Sequence, residues 1–300
     1  MSSGSDARQL VADLLERCHF PPAGTEVVCA FSGGADSTAL VILATEAGLR
    51  VRAIHVDHGL RPESGNEARA AEDAARRLGV EFDVVRLELQ PGPNLEARAR
   101  SARRSVLPEG TLFGHTADDQ AETVLLNLLR GCGIDGLGGM DPVTHPIIEL
   151  RRHETRALCN QLGFSWVEDP MNRDPRFTRV RIRTEVLPLL ASIAGRDPVP
   201  LLCRTASLAR QASEYISRQA DGIDPTDVDV LREVDEVVAQ TALRRWLSGL
   251  HPGGYPPPKA AVARVMEVVR GVRKATEIPG GARVARSRGR LVAIPRGTNS

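Results

Sequence analysis

Residues 27–38 read VVCAFSGGADST, an apolar run that breaks at once into Ser32, Gly33, Gly34, Ala35, Asp36 and Ser37. An ordinary turn needs no such set. Gly33 and Gly34 let backbone N–H groups come close to a phosphate, and a helix beginning near Asp36 aims its positive dipole end at the same place. Ser32 and Ser37 add hydroxyl donors, and Asp36 is suited to hold Mg²⁺ against phosphates. The loop is not GxxxxGK[ST], since no lysine follows, and it is not GxGxxG. A plain strand-to-helix turn with Asp36 near the N-cap explains Asp36 and one serine, but not all six residues.

Outward from this loop, the first two thirds of the chain alternates two kinds of segment. Stretches 27–31, 51–56, 82–87 and 111–114 are rich in Val, Ile, Leu or Phe and end in glycine or polar residues. Between them, 36–47, 64–78, 94–107 and 118–130 space their apolar residues as helices do. In the last of these, Ala121, Val124, Leu125, Leu128 and Leu129 make one stripe expected to be buried. The βαβαβαβα order implies an α/β fold with a doubly wound, mainly parallel sheet. Ligands collect at the carboxyl ends of the strands in such sheets.

A glycine-rich segment, RGCGIDGLGGMDP at 130–142, then interrupts the alternation. Residues 152–190 read as largely helical, 194–200 as a linker, and 201–219, 230–250 and 260–272 as helices; the end reads as a small basic hairpin. The expected division is an α/β domain over 1–195, a small helical domain over 200–274 and a short basic segment over 275–300.

Hydrophobic content of 42% and charged content of 26% fit a globular protein in water. No apolar run approaches the roughly 18 residues of a membrane span, and the polar start MSSGSDARQL lacks the apolar core of a secretion signal. A cytoplasmic location is therefore expected. The five cysteines are scattered without a CxxC pair, which argues against a disulfide framework or a zinc ribbon. The net charge of +1 hides an asymmetry: residues 1–200 hold 23 basic and 28 acidic side chains, residues 201–300 hold 16 and 10, and the surplus lies in the last thirty.

The six-residue loop resembles the SGGxDS pyrophosphate loop of the N-type ATP pyrophosphatases (the PP-loop family), which cleave ATP to AMP and pyrophosphate. At the end of the second expected strand, AIHVDHGLRPES at 53–64 places His55, Asp57 and His58 where such a sheet contacts nucleotide. A transition-metal site is the less favoured reading of this cluster, since polar strand ends commonly just hydrogen-bond. Together with the loop, the stretch is similar to the HVDHGLR segment of the tRNA(Ile)-lysidine synthetases.

Three further blocks carry the same resemblance. GHTADDQAET at 114–123 is similar to the family's GHxxDDQxET; Asp119 and Glu122, three apart, share a helix face. NLEARARSARR at 94–104 resembles its N-x-E-x-x-A-R-x-x-R-Y helix, matching Arg100 and Arg103, with Arg104 in the tyrosine's place. The segment 168–188 is similar to its D-x-S-N…R-N-x-I-R block, with Met171 and Val180 replacing serine and asparagine, and His145 stands where an arginine is commoner. The RGxGxxGLxGM loop matches throughout 130–140.

The resemblance covers about residues 25–190 and implies a two-step reaction. The wobble cytidine of the CAU-anticodon tRNA(Ile) would be adenylated by ATP with release of pyrophosphate, and the ε-amine of free L-lysine would then expel AMP to form lysidine. ATP would be bound by Ser32, Gly33, Gly34, Ala35, Asp36, Ser37, His55, Asp57 and His115, with Mg²⁺ on Asp36. The catalytic set would be Asp36, Arg103, Asp119 and Glu122. Arg103 would stabilise phosphate charge, although a solvated helix arginine fits the sequence too. Asp119 and Glu122 would hold lysine, one of them helping to deprotonate it. Candidate tRNA contacts are Arg183, Arg244, Arg245, Arg286 and Arg288, with a solvated surface as the competing reading for the last four. A homodimer is among the assemblies left open. The alternatives are another PP-loop tRNA-modifying enzyme, a thiolase, or an ATP-binding module without catalysis.

Overall fold

In a computed structural model of the protein, residues 3–57, 64–87, 102, 105–166, 174–251 and 257–294 are described. After α1 (Ser3–Leu15), a parallel sheet is built from β1 (Glu26–Ala30), β2 (Arg50–Asp57) and β3 (Glu81–Arg86), connected by α2 (Ala35–Glu46) and α3 (Ser64–Leu78). The register places Cys29 beside Ala53 and His55 beside Val84. On the other side of β1, Leu112 forms a single parallel bridge with Cys29: Leu112 N–H donates to Val28 O at 2.8 Å, and Ala30 N–H donates to Leu112 O at 2.9 Å. The order across the sheet is thus Leu112, β1, β2, β3, and it reverses at β1. The crevice beyond the end of β1 is the topological switch point, where open α/β sheets bind ligands.

The expected fourth strand, 111–114, contributes only this one bridge. Gly114 and the helix that follows turn the chain away before a ladder can form. Burial explains why α2 anchors the site. Ala39, Leu40, Val41, Leu43 and Ala44 are all fully buried, as in a helix apolar on every side. Phe31, at the end of β1, meets Phe82 of β3 edge to face at 6.3 Å.

Beyond the sheet come α4 (Ala117–Leu129), the short α5 (Ile134–Leu137) and α6 (Arg152–Gln161). The expected stripe on α4 is buried only at its start. Ala121 and Val124 are inaccessible, whereas Leu128 and Leu129 are 49% and 72% exposed. The glycine-rich segment folds back on α4: Gln120 Nε2 donates to Gly138 O, Met140 N–H donates to Gln120 Oε1, and Asn127 Nδ2 donates to Gly136 O. Next come α7 (Thr178–Arg181), a π-helical turn (Ile182–Val186) and α8 (Leu187–Ala194), whose Ile182 and Leu187 pack on Ala117 and Ala121.

Two compact units result, Met1–Leu208 and Ala209–Ser300, the boundary falling within α9 (Val199–Asp221). The second unit holds α10 (Val228–Glu233), α11 (Glu236–Leu250), α12 (Lys259–Val269) and the antiparallel strands β4 (Ala275–Glu277), β5 (Arg283–Ser287) and β6 (Arg290–Ile294). The helix expected over 230–250 is thus two helices, and the expected hairpin gains a third strand. Ile278, Val284 and Leu291 join Leu231, Leu243, Leu247 and Val265 in one core. The turn between β5 and β6 has Arg288 and Gly289 both at positive φ, 48° and 78°, the geometry of a two-residue hairpin turn.

Candidate active site

The loop after β1 is built for an anion. Gly33 takes φ +77°, left-handed backbone that glycine adopts without strain, and Gly34 starts α2 with no side-chain cap. The first-turn N–H groups are therefore left for an outside acceptor. Ser37 holds the loop from within. Its hydroxyl donates to Gly34 O at 3.0 Å, accepts from Ser32 N–H at 3.2 Å and lies 3.1 Å from Ser32 Oγ. Ser32 itself is exposed at the mouth. Gly114 presses against this helix start: a Cβ there would lie 2.6 Å from Asp36 O and 2.9 Å from Ser37 Cα. Only glycine lets the chain leave the sheet so close to α2.

Four carboxylates and four arginines converge beside the loop. Asp36 comes from the first turn of α2, and Asp118, Asp119 and Glu122 come from the start of α4. Arg151 and Arg152 come from the start of α6, Arg179 from α7 and Arg183 from the π-helical turn. Glu122 is completely buried and accepts from Arg183 Nε at 2.6 Å and Arg183 Nη2 at 3.1 Å. Arg152 Nη2 lies 3.5 Å from Glu122, and Arg179 Nε lies 3.8 Å from it. Arg152 Nη2 also pairs with Asp119 at 2.9 Å, while its Nε lies 3.7 Å from Asp36. The other oxygen of Asp36 accepts from the Thr155 hydroxyl. Asp118 takes Arg151 on both oxygens at 3.1 Å and the Arg152 N–H at 2.8 Å.

These surroundings push two neighbouring carboxyls in opposite directions. Burial and the charge of Asp119 raise Asp36 to about 6, against the opposing pull of Thr155, Arg152 and Arg156. Burial works on Asp119 too, but Arg152, His115, the Thr116 N–H and Arg179 outweigh it and hold Asp119 well below the usual carboxylate range. Asp119 also reaches back to the Thr116 N–H and hydroxyl, both at 3.0 Å, which ties it to the start of its own helix. A cavity of about 230 Å³ opens beside Glu122, Arg152 and Arg183. Its other wall is apolar, from Leu187, Pro188, Ala191 and Val199.

Of the residues expected to bind nucleotide outside the loop, His55 and Asp57 lie at the end of β2 and His115 just before the N-cap of α4. His55 is buried, its Nδ1 2.9 Å from Phe31 O at the end of β1. Asp57 ends β2. His115, Phe113 and His145 stack in a ring cluster, His115 and His145 being 4.9 Å apart between centroids. His145 thus fills with an aromatic ring the place where an arginine was the commoner expectation. Val180 is buried, on α7. Arg103, together with His58, Arg100, Arg104 and Met171, lies outside the described residues.

Two placements depart from the sequence reading. Asp119 and Glu122, expected to face an incoming ammonium, are already paired with guanidinium groups. Arg183, expected among tRNA contacts, is one of those partners. In the second unit Arg245 pairs with Asp221 at 2.6 Å, and the neighbouring Trp246 packs against the core. Arg286 and Arg288 are exposed.

Sequence reasoning missed Arg152, Arg179 and Thr155, because their partners lie 30 to 119 positions away. One coarse signal was present. Residues 109–149 hold seven acidic side chains against one arginine, while 151–183 hold eight arginines against four acidic residues.

The family model described as "PP-loop domain" matches residues 6–190. The tRNA(Ile)-lysidine synthase of Nocardia farcinica is 39% identical, over 91% of this chain and 93% of its own. That of Rhodococcus erythropolis is 43% identical, over 74% of this chain and 73% of its own. Among solved structures, a U34-tRNA thiolase from Methanococcus maripaludis superposes with a TM-score of 0.55 at 18% identity, covering 68% of this chain and 78% of that one, a likeness of fold alone. The chain belongs to the tRNA(Ile)-lysidine synthase family, within the PP-loop domain proteins.

Proposed function

We propose that the chain ligates free L-lysine to C2 of the wobble cytidine of the CAU-anticodon tRNA(Ile), consuming ATP and releasing AMP and pyrophosphate. The observation that carries this reading is the meeting of an anion-binding loop with a buried carboxylate cluster at one strand-end crevice, in a chain of this family. In the first step cytidine O2 forms a bond to the α-phosphorus of ATP, and the bond from that phosphorus to the leaving pyrophosphate breaks. The loop's N–H groups with Ser32 bind the departing phosphates, Ser37 keeping the loop in shape through its bond to Gly34 O, while His55, Asp57 and His115 line the nucleotide's place. Holding the reactants in line and stabilising the spreading charge is most of the catalysis needed. In the second step the lysine ε-ammonium gives up a proton to solvent and its nitrogen forms the bond to C2. The C2–O2 bond breaks so that AMP leaves carrying O2, and the nitrogen's remaining extra proton also passes to solvent.

Mg²⁺ fits the residues present. Asp36 is a hard oxygen donor whose side chain is 25% exposed beside the loop, and its raised carboxyl marks a site short of positive charge. Among the described residues no group of three His, Cys, Asp or Glu side chains is arranged to hold a metal ion by itself, so the ion would rest on Asp36 and on phosphate oxygens. When bound it supplies charge neutralisation at the phosphates.

Lysine would extend its aliphatic stem along Leu187, Pro188 and Ala191 and its ammonium toward Asp119 and Glu122. A base works best when its pKa lies near the working pH, so Asp119, held far below it, serves as a fixed counter-charge and not as the proton acceptor. Residues 1–195 would be the catalytic part and 200–274 a tRNA-binding part, with Arg286 and Arg288 on phosphates. The reaction would take place in the cytoplasm.

The test incubates the protein with ATP, Mg²⁺, radiolabelled lysine and a transcript of the CAU-anticodon tRNA(Ile). Label fixed at the wobble base, and absent with Asp36→Ala, is the expected result. Pyrophosphate release dependent on tRNA but without label would retain the adenylation and discard lysine. Silence in both would leave an ATP-binding module.

A further inference from the structure

Arg152 reaches more carboxylates than one binding role requires. One edge of its guanidinium faces α4, with Nη2 2.9 Å from Asp119 and 3.5 Å from Glu122; the Nε edge faces α2, 3.7 Å from Asp36. Among the described residues, no other side chain ion-pairs with carboxylates of both helices. Its base is rigid. The Arg152 N–H is fastened to Asp118 of α4, Thr155 one turn on is fastened to Asp36 of α2, and Cys159 Sγ reaches Ala35 O at 3.4 Å. Glu122 keeps two further guanidinium partners, Arg183 and Arg179, if Arg152 turns away. Asp119 keeps a contact of 4.0 Å with Arg183, its bonds to Thr116 and the more distant positive charges of His115 and Arg179, so among the described residues Arg152 is its one close ion pair.

We infer that Arg152 couples the nucleotide site to the ammonium site, so that ATP and lysine each bind more tightly when the other is present. This rests on the function proposed above. With both sites empty, one guanidinium is shared between Asp119 of α4 and Asp36 of α2. An ammonium arriving at Asp119 replaces what Arg152 supplies there, and the guanidinium is released toward Asp36, where the phosphates bring fresh negative charge. Conversely, phosphates that draw Arg152 toward Asp36 uncover Asp119 for the ammonium. Linkage makes the factor the same in both directions. The consequence is an order in the chemistry: the nucleophile is held most tightly only when nucleotide already fills the loop.

Equilibrium binding tests this without turnover. The non-hydrolysable analogue α,β-methylene ATP, with Mg²⁺, is titrated into the full chain by calorimetry at zero and at saturating L-lysine. For the unsubstituted protein the expected result is tightening by lysine on the order of tenfold, within the common range of coupling factors. Arg152→Met keeps the stem and loses the charge. It should still bind each ligand alone, with the ratio falling to about one. Arg152→Lys keeps a point charge without the two-edged fork and should recover only part of the ratio. It also carries the test if melting shows the Met variant to be unfolded. The same ratio in the unsubstituted protein and the variants overturns the inference, as does a ratio of one in the unsubstituted protein that binds lysine. Failure of that protein to bind lysine at all overturns the lysine reading together with the inference, and so separates the two.

Discussion

Asp36 and Asp119 sit in one cluster, yet their carboxyls respond to it with opposite sign, and stability should show it. Asp36 ionises at about 6 when folded, against an ordinary value of 3.8. The folded chain therefore binds this proton more readily than the unfolded chain, so its contribution to stability falls as pH rises from about 4 to about 6, and the full cost remains above that. Asp36→Asn removes the cost. At pH 8 in metal-free buffer the variant should be more stable by on the order of 2 kcal/mol, with no gain at pH 4, while tRNA-dependent pyrophosphate release is lost. An Asn variant that melts no higher than its parent at pH 8 would refute this account of Asp36. Asp119 is the opposite case. Its folded pKa is depressed, so it stabilises the fold above the ordinary carboxylate range and loses that contribution only as the solution becomes strongly acidic. Asp119→Asn should cost about 3 kcal/mol at pH 7, since it strips a buried partner from Arg152, and thermal melts at pH 7 and pH 3 should show the gap narrowing. At this scale the loop residues could be read from the sequence because their chemistry is local: two glycines, two hydroxyls and a carboxylate within six positions. The pairing that sets these two pKa values could not, because Arg152 lies 116 positions from Asp36 and 33 from Asp119.

Elements were legible wherever the chain's own periodicity decided them. The spans expected for β1, β2, β3, α2, α3 and α4 fall within a residue of those observed. What failed were elements decided by neighbours. Segment 111–114 has strand composition, but Gly114 must pass within van der Waals contact of the start of α2, and the chain leaves the sheet after one bridge. The far end of α4 has an apolar stripe with nothing described packed over Leu129. The close approach at Gly114 is itself testable. Gly114→Ala places a methyl group 2.6 Å from Asp36 O and forces α2 or the strand end to shift. A cost of roughly 1–3 kcal/mol is expected from such overpacking. Because the displaced atoms belong to the first turn of α2, affinity for the ATP analogue should fall by more than tenfold, while lysine affinity measured alone changes little. Equal losses at both sites would mean that α2 and α4 move as one body.

At the scale of the whole molecule, the charge asymmetry in the sequence acquires a physical meaning once partners are assigned. Of the basic residues near the end, Arg290 is committed to Asp224, Arg273 to Glu267 and Arg270 to Glu236. Arg283, Arg286 and Arg288 are exposed and have no acidic partner among the described residues. The strands that carry them are part of the second unit's core through Val284 and Leu291, so deleting the end of the chain would test folding and not recognition. Substituting the three arginines by alanine leaves the buried residues untouched, apart from turn strain at position 288, where the backbone is already left-handed. If these side chains meet RNA phosphates, each releases counterions on binding. The slope of log affinity against log salt should then shrink by about 0.7–0.9 for every contact removed, roughly two units for the set. Affinity for the transcript near 0.1 M salt should fall at least about tenfold, and lysine transfer should weaken through KM for tRNA with little change in kcat. Arg245→Ala is the contrasting variant, since that side chain is paired with Asp221 and surface pairs contribute little; it should leave the salt slope nearly unchanged. A triple variant with an undiminished slope would remove the basic end from the tRNA interface and shift the search to arginines of the first unit. The cluster beside the loop is a poor alternative there, because its guanidinium groups are already neutralised by Asp118, Asp119 and Glu122.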